Sequence, residues 1–215
     1  YQVPAAQARI IRGEETILLG GGYGDVGRQA KADENTSLAI GSQTKSFVAT
    51  VLALLAEEGR IGLDTPVREY IPEFALEDRR VSDMLSVRDI LSHRSGLPQH
   101  DFMQHLNIDA YSAEDYIRSF RYLKCSEPIR TKMQYSNLMY MLAGYVIERV
   151  TGEKWSDFIR RRLTEPLGMK DTNFSIPENN LVENRALPYR IADGRLEAMP
   201  YEDIKAAGSA GAMNS

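Results

Sequence analysis

The order of elements along the chain predicts an α+β fold, with antiparallel strands at the start and helices after them. Three observations carry that expectation. Residues 7 to 11 and 15 to 19 are apolar, partly β-branched runs on either side of Arg12-Gly13-Glu14, the layout of a hairpin. From Phe47 onward, Phe47, Val48, Val51, Leu52, Leu54 and Leu55, padded by Ala49, Ala53 and Ala56, are apolar nearly all round a helix, which suits an element packed on several sides. Helix start and stop signals then recur through residues 60 to 168.

The bulk numbers narrow the function classes. A chain of 215 residues, 43% apolar and 26% charged, has the composition of a globular protein with one good core or two small lobes, and disorder is not expected. A net charge of -4 speaks against a nucleic-acid or anionic-membrane binder, because both need a positive footprint. The one dense basic run, Arg160-Arg161-Arg162, reads as a solvated helix face. The single Cys125 has no internal partner, and no Cys/His cluster has zinc-site spacing, so neither an internal disulfide nor a structural metal is expected; no cofactor is expected. The longest apolar run, Phe47 to Ala56, falls far short of the roughly 20 residues that cross a bilayer. The first residues lack the basic-then-apolar layout of a signal peptide, and a leader removed beforehand would leave no trace in them.

Taken in order, the hairpin is followed by Gly22-Tyr23-Gly24-Asp25-Val26-Gly27, which matches the GxGxxG dinucleotide pattern. The polar stretch Arg28 to Glu34 offers no amphipathic helix to receive a pyrophosphate, so the glycines are read as the bend or bulge that ends a strand. Gly59 suits the residue after the apolar helix. Asp64-Thr65-Pro66 signals a short helix ending before Pro72, and Ser86-Val87-Arg88-Asp89 is a capping-box pattern for another. A turn follows at His93 to Pro98. His93, His100 and His105 share no helical face, and with neither G-x-S-x-G nor H-E-x-x-H present, His93 is read as a structural turn residue. Further helices are expected over residues 112 to 120, over 138 to 150 with Ser136 as N-cap, and over 154 to 163 before Pro166 and Gly168. Beyond Phe174 the chain reads as irregular and polar to its last residue.

The candidate chemistry lies in Gly41-Ser42-Gln43-Thr44-Lys45-Ser46-Phe47, which sets a serine and a lysine one helical turn apart at the start of the apolar helix. Residues three apart share a helix face, so the Ser42 hydroxyl and the Lys45 amine are within reach of each other, as a nucleophile and a base must be. The helix N-terminus also favours an oxyanion and disfavours an ammonium. Ser-x-x-Lys is a short pattern that this composition produces by chance roughly once in two such chains, so its placement counts for more than its presence.

Read with Tyr135-x-Asn137 about ninety residues later, Ser42-x-x-Lys45 resembles the class C type branch of the serine β-lactamase and penicillin-binding protein family. Gly22-Tyr23-Gly24-Asp25, Leu63-Asp64-Thr65-Pro66-Val67, Ile90 to Pro98, Tyr135-Ser136-Asn137-Leu138 and Glu165-Pro166-Leu167-Gly168-Met169 resemble the same family in the same order. The resemblance implies an antiparallel sheet flanked by helices plus a mostly helical lobe, with an active site in the cleft between. Residues 1–41 would supply sheet strands, 42–59 the nucleophile helix, 60–175 the helical lobe and 176–215 a return segment. It further implies that Ser42 is acylated, that Lys45 is its proton partner, that Tyr135 shuttles the proton, and that Asn137 bonds Lys45 or a substrate carbonyl. The backbone N–H of Ser42 would form half of an oxyanion hole. The base is Lys45 or Tyr135, a coupled pair that sequence does not separate.

One departure from the family pattern matters. The late Lys-Thr-Gly or His-x-Gly strand motif is absent, and Val150-Thr151-Gly152 does not replace it, since it ends a helix. The expectation is therefore of a partial domain whose sheet is incomplete, weakly active because a lost oxyanion donor costs on the order of 3 kcal/mol, and completed by a further segment or another chain. The function expected is that of a serine hydrolase working through an acyl-enzyme on a small ester, an amide, a D-amino-acid peptide or a β-lactam. The alternatives are a penicillin-binding covalent sensor and a noncatalytic relic of the fold.

Overall fold

The computed structural model describes residues 3–100, 112–202, 204 and 207–215. In chain order come strands β1 (Ala5–Arg12), β2 (Glu15–Asp25) and β3 (Ala30–Lys31), then helices α1 (Thr44–Glu57), α2 (Arg79–Met84), α3 (Val87–Leu91), α4 (Ala113–Ser119), α5 (Asn137–Thr151) and α6 (Trp155–Ile159). Helix α7 (Ile176–Asn179), strands β4 (Tyr189–Ala192) and β5 (Arg195–Ala198) and helix α8 (Gly208–Gly211) follow. The chain divides into two compact units, residues 1–40, 171–203 and 213–215 in one, and 41–170 with 204–212 in the other.

The strands of the strand-bearing unit pair antiparallel, and an isolated bridge between Ser37 and Arg185 is parallel. β1 and β2 pair from Ala5 with Gly22 to Arg12 with Glu15 around a two-residue loop. Gly13 takes φ 61°, while Glu14 stays outside the positive-φ set, the pattern of a type II′ turn. The glycines after Leu19 continue the strand before they bend it: the register slips between Tyr23 and Asp25, and Gly22 adopts φ 90°. A Cβ on Gly22 would stand 2.0 Å from the Pro4 carbonyl oxygen, so only glycine fits. β3, not a helix, comes next, in keeping with a bulge and not a nucleotide loop.

The stretch expected to be irregular contains a hairpin. β4 and β5 join through Asp193 and Gly194, with φ of 48° and 75°. Positive φ at both positions is the type I′ turn that Asp-Gly favours between strands.

The helical unit holds most of the apolar core. Val48, Val51, Leu52 and Leu55 of α1 are fully buried, whereas Ser46, Thr50, Ala53 and Glu57 on the opposite side are exposed, so α1 is packed on one broad face and not all round. α5 is the more enclosed helix, buried from Leu138 through Gly144 because α1, α3, α6 and α8 all pack against it. Phe74 and Phe120 meet edge to face at 6.2 Å in the same core. Ser86 and Asp89 complete the capping box of α3, and Ser112 and Asp115 do the same for α4.

The helix signalled at Asp64 is a single 3₁₀ turn, Val67–Glu69. The Asp64 carboxylate bonds the Arg88 guanidinium at 2.6 and 2.9 Å, and no side chain caps the turn. The helix expected over residues 154 to 163 is α6 followed by the π-helical turn Arg160–Thr164. No helix among the described residues is long and apolar enough to cross a membrane.

Candidate active site

Ser42 sits in the 3₁₀ turn Gly41–Gln43 that leads into α1, so the α-helix expected to open at Ser42 begins two residues later, at Thr44. Gly41 takes φ 52°, and the Thr44 hydroxyl donates to the Gly41 carbonyl at 2.7 Å, which closes the turn. The Ser42 side chain is exposed, while Lys45, one turn on, is only 6% exposed.

Lys45 Nζ lies 3.0 Å from Ser42 Oγ. It also donates to Asn137 Oδ1 and to the Ala210 carbonyl, both at 2.7 Å. Two N–H groups are thus committed to carbonyl oxygens, and the remaining position on nitrogen faces Ser42. An ammonium donates there; an amine accepts there through its lone pair. The Tyr135 and Tyr140 rings lie 4.8 and 5.5 Å from Nζ, within the range of cation–π attraction. On the other side of the serine, Tyr135 Oη stands 2.6 Å from Ser42 Oγ.

Tyr135 and Asn137 flank Ser136, the N-cap of α5, whose hydroxyl accepts from Met139 N–H. The approach to this cap is held by the turn at residues 93 to 96. Gly96 O accepts from the N–H groups of Ser126 and Glu127, and Arg130 N–H donates to Arg94 O. Gln134 N–H donates to His93 O at 2.8 Å, and Ser136 N–H donates to His93 Nδ1 at 3.1 Å. Arg130 is tied further to Asp89 at 2.8 Å. Burial works to raise the Asp89 carboxyl, but hydrogen bonds from Arg130 and Ser86 outweigh it, and the group is held below the ordinary carboxylate range. Burial, followed by the charge of Lys45, pushes the His93 imidazole down.

All four residues singled out in the sequence, Ser42, Lys45, Tyr135 and Asn137, therefore meet at one place within the helical unit. Two participants were not foreseen. The Ala210 carbonyl is a backbone group and leaves no mark in a side-chain motif. His93 is the turn residue the sequence predicts, and its ring also reaches the Ser136 backbone. His105 lies outside the described residues. Among those described, no group of three or more His, Cys, Asp or Glu side chains could hold a metal ion.

The antiparallel strands and the helices define a β-lactamase/transpeptidase-like α+β fold, one used by serine hydrolases. The chain belongs to the beta-lactamase family, whose model matches residues 1–215. It is 32% identical over 230 residues to unguisins hydrolase ungD' of Aspergillus campestris (strain IBT 28561), covering 100% of this chain and 42% of the relative. Among solved structures, the octameric penicillin-binding protein homologue from Pyrococcus abyssi superposes with a TM-score of 0.87 at 27% identity, over 100% of this chain and 50% of that one. The D-amino acid amidase from Ochrobactrum anthropi SV3 complexed with L-phenylalanine gives a TM-score of 0.81 at 33% identity, over 98% and 62%. The chain thus spans between two fifths and two thirds of the length of these relatives.

Proposed function

We propose that the protein is a serine hydrolase that forms an acyl-enzyme on Ser42 and passes the acyl group to water. The observation that supports this best is the meeting of Ser42 Oγ with Tyr135 Oη at 2.6 Å and Lys45 Nζ at 3.0 Å. A serine hydroxyl attacks a carbonyl only when its proton is removed as the bond forms, and both neighbours stand where such a group must stand.

Lys45, with two carbonyl oxygens and two ring faces around its nitrogen, acts as an ammonium that donates to Ser42 Oγ. The serine proton then points to Tyr135 Oη, which, reacting in its phenolate form beside the Lys45 ammonium, takes it as Oγ bonds to the substrate carbonyl carbon. In the collapse of the tetrahedral intermediate, Tyr135 returns that proton to the departing amine or alcohol. Water next gives a proton to Tyr135 and its oxygen to the acyl carbon, and Ser42 leaves with the proton restored. Asn137 holds Lys45 in place, and the Ser42 N–H serves as one oxyanion donor.

For the substrate we favour a D-amino-acid amide or a short peptide with a D residue at the scissile bond, because a D-amino acid amidase is 33% identical over nearly the whole chain. The test is release of ammonia from D-phenylalanine amide by wild type and by Ser42→Ala. Several equivalents released per protein, abolished in the variant, support turnover. A single equivalent with a lasting adduct would instead make the protein a covalent sensor.

A further inference from the structure

We infer that His93 is a positioning residue for the Tyr135 phenol: its imidazole and its backbone carbonyl together bracket Tyr135 and fix it against Ser42. This rests on the proposed role of Ser42 and Tyr135.

The helix end that carries His93 is unusual for its residue type. Helix α3 closes with His93 N–H on the Ile90 carbonyl at 3.4 Å and Arg94 N–H on the Asp89 carbonyl at 2.9 Å, the paired bonds of a Schellman motif. Its left-handed residue is His93, at φ 58°, where glycine carries no steric penalty. A bulky residue kept at such a position points to a use for its side chain.

That use is visible on both sides of Tyr135. The N–H of residue 134 is taken by His93 O, and the N–H of residue 136 by His93 Nδ1. Ser136 is fully buried, so its N–H has no water to turn to when the imidazole is removed. The His93 ring also packs on the Tyr135 ring at 4.6 Å and on the Tyr140 ring at 5.2 Å, and the Tyr140 hydroxyl donates to Leu91 O in the same turn. One residue thus holds the backbone before the phenol, the backbone after it, and one face of its ring.

The arrangement needs a neutral imidazole with its proton on Nε2, because Nδ1 accepts. Protonation places an N–H on Nδ1 against the N–H of Ser136 and releases that half of the bracket. The charged or titratable groups facing the ring are Lys45 from α1, Tyr135 at the entrance to α5 and Tyr140 within it. On its own turn, Asp89 is paired with Arg130, and Arg94 donates to the Arg130 carbonyl.

The test measures the rate at which a fluorophosphonate labels wild type, His93→Gly and His93→Asn from about pH 5 to about pH 8, with Ser42→Ala as control. Glycine suits the left-handed backbone but removes the acceptor. Asparagine tolerates that backbone and sets Oδ1 where Nδ1 stood, without a proton to gain. The expected result is labelling at least about ten-fold slower in His93→Gly, recovery to within about three-fold in His93→Asn above pH 7, and loss in His93→Asn of the acid limb that wild type shows below about pH 6.5. Wild-type rates in His93→Gly, or an unchanged acid limb in His93→Asn, overturn the inference while leaving the Ser42 reading intact. Labelling that persists in Ser42→Ala overturns the Ser42 reading and the inference with it. Should His93→Gly not fold, the His93→Asn profile decides. Independently of activity, ¹⁵N spectra at neutral pH are expected to show His93 Nδ1 unprotonated; a protonated Nδ1 overturns the inference.

Discussion

Lys45 shows how a short pattern gains meaning from its surroundings. A lysine three residues after a serine is commonplace, but this one is 6% exposed and donates to an asparagine, a backbone carbonyl and the serine at once. Replacing it with alanine removes the charge beside Ser42 and Tyr135, and Lys45→Ala is expected to slow fluorophosphonate labelling by about 10² or more. Tyr135→Phe keeps the ring that packs on His93 and deletes only the hydroxyl, so a drop of about 10² to 10⁴ with an unchanged melting temperature is expected. A wild-type rate in Tyr135→Phe would remove the tyrosine from the proton path. The four side chains were legible in the sequence because serine, lysine, tyrosine and asparagine stand at motif spacing. The Ala210 carbonyl was not, since any residue can supply a carbonyl and only the fold decides which one arrives.

Helix α5 organises the surroundings of the candidate site, and its glycine shows how. A helix interior normally gains about 1 kcal/mol when glycine becomes alanine. At Gly144, however, a Cβ would stand 2.4 Å from Ser209 Oγ, and Ser209 is bonded to the Tyr140 carbonyl next to Ala210. Gly144→Ala is therefore expected to lower the melting temperature and to slow labelling together, by moving Ala210 away from Lys45; higher stability with normal labelling would contradict the packing described. Much of the element pattern could be read from local chemistry. Ser86, Ser112 and Ser136 are caps, Gly59 and Gly152 take positive φ at helix ends, and Gly13 makes the first hairpin turn. Asp64 misled because an arginine 24 residues later takes its carboxylate. Asp193-Gly194 is a hairpin signal, but Tyr189 to Ala198 alternates too weakly to stand out among polar neighbours.

Across the molecule, stability and solubility follow from a few groups. Asp89 is held below its ordinary pKa of about 4, so its stabilising contribution is present above that value and disappears as pH falls through the lowered one. His93 is pushed below about 6.5, so the unfolded chain gains a proton first and stability begins to fall as pH drops past that value. Unfolding measured against pH is expected to show both losses. Asp89→Asn should lose the lower one and cost about 1 to 3 kcal/mol at neutral pH, since it leaves Arg130 without its carboxylate. The β1–β2 hairpin exposes Ile10, Ile17 and Leu19 on one face, with Ile11 and Leu18 on the other. Apolar area of that kind promotes association, and Ile10→Lys with Leu19→Glu is expected to reduce light scattering at a given protein concentration. The fold class was legible because strands and helices fall in separate stretches. The sides on which α1 is packed were not, because nothing in its own residues says which neighbours arrive.

The meeting of Ser42 with Tyr135 and Lys45 is tested most directly by mapping the covalent adduct. The protein is treated with a labelled fluorophosphonate or penicillin, digested, and its peptides sequenced by mass. The added mass is expected on Ser42 alone and absent from Ser42→Ala. Mass on another residue, or equal labelling of the alanine variant, would contradict the mechanism.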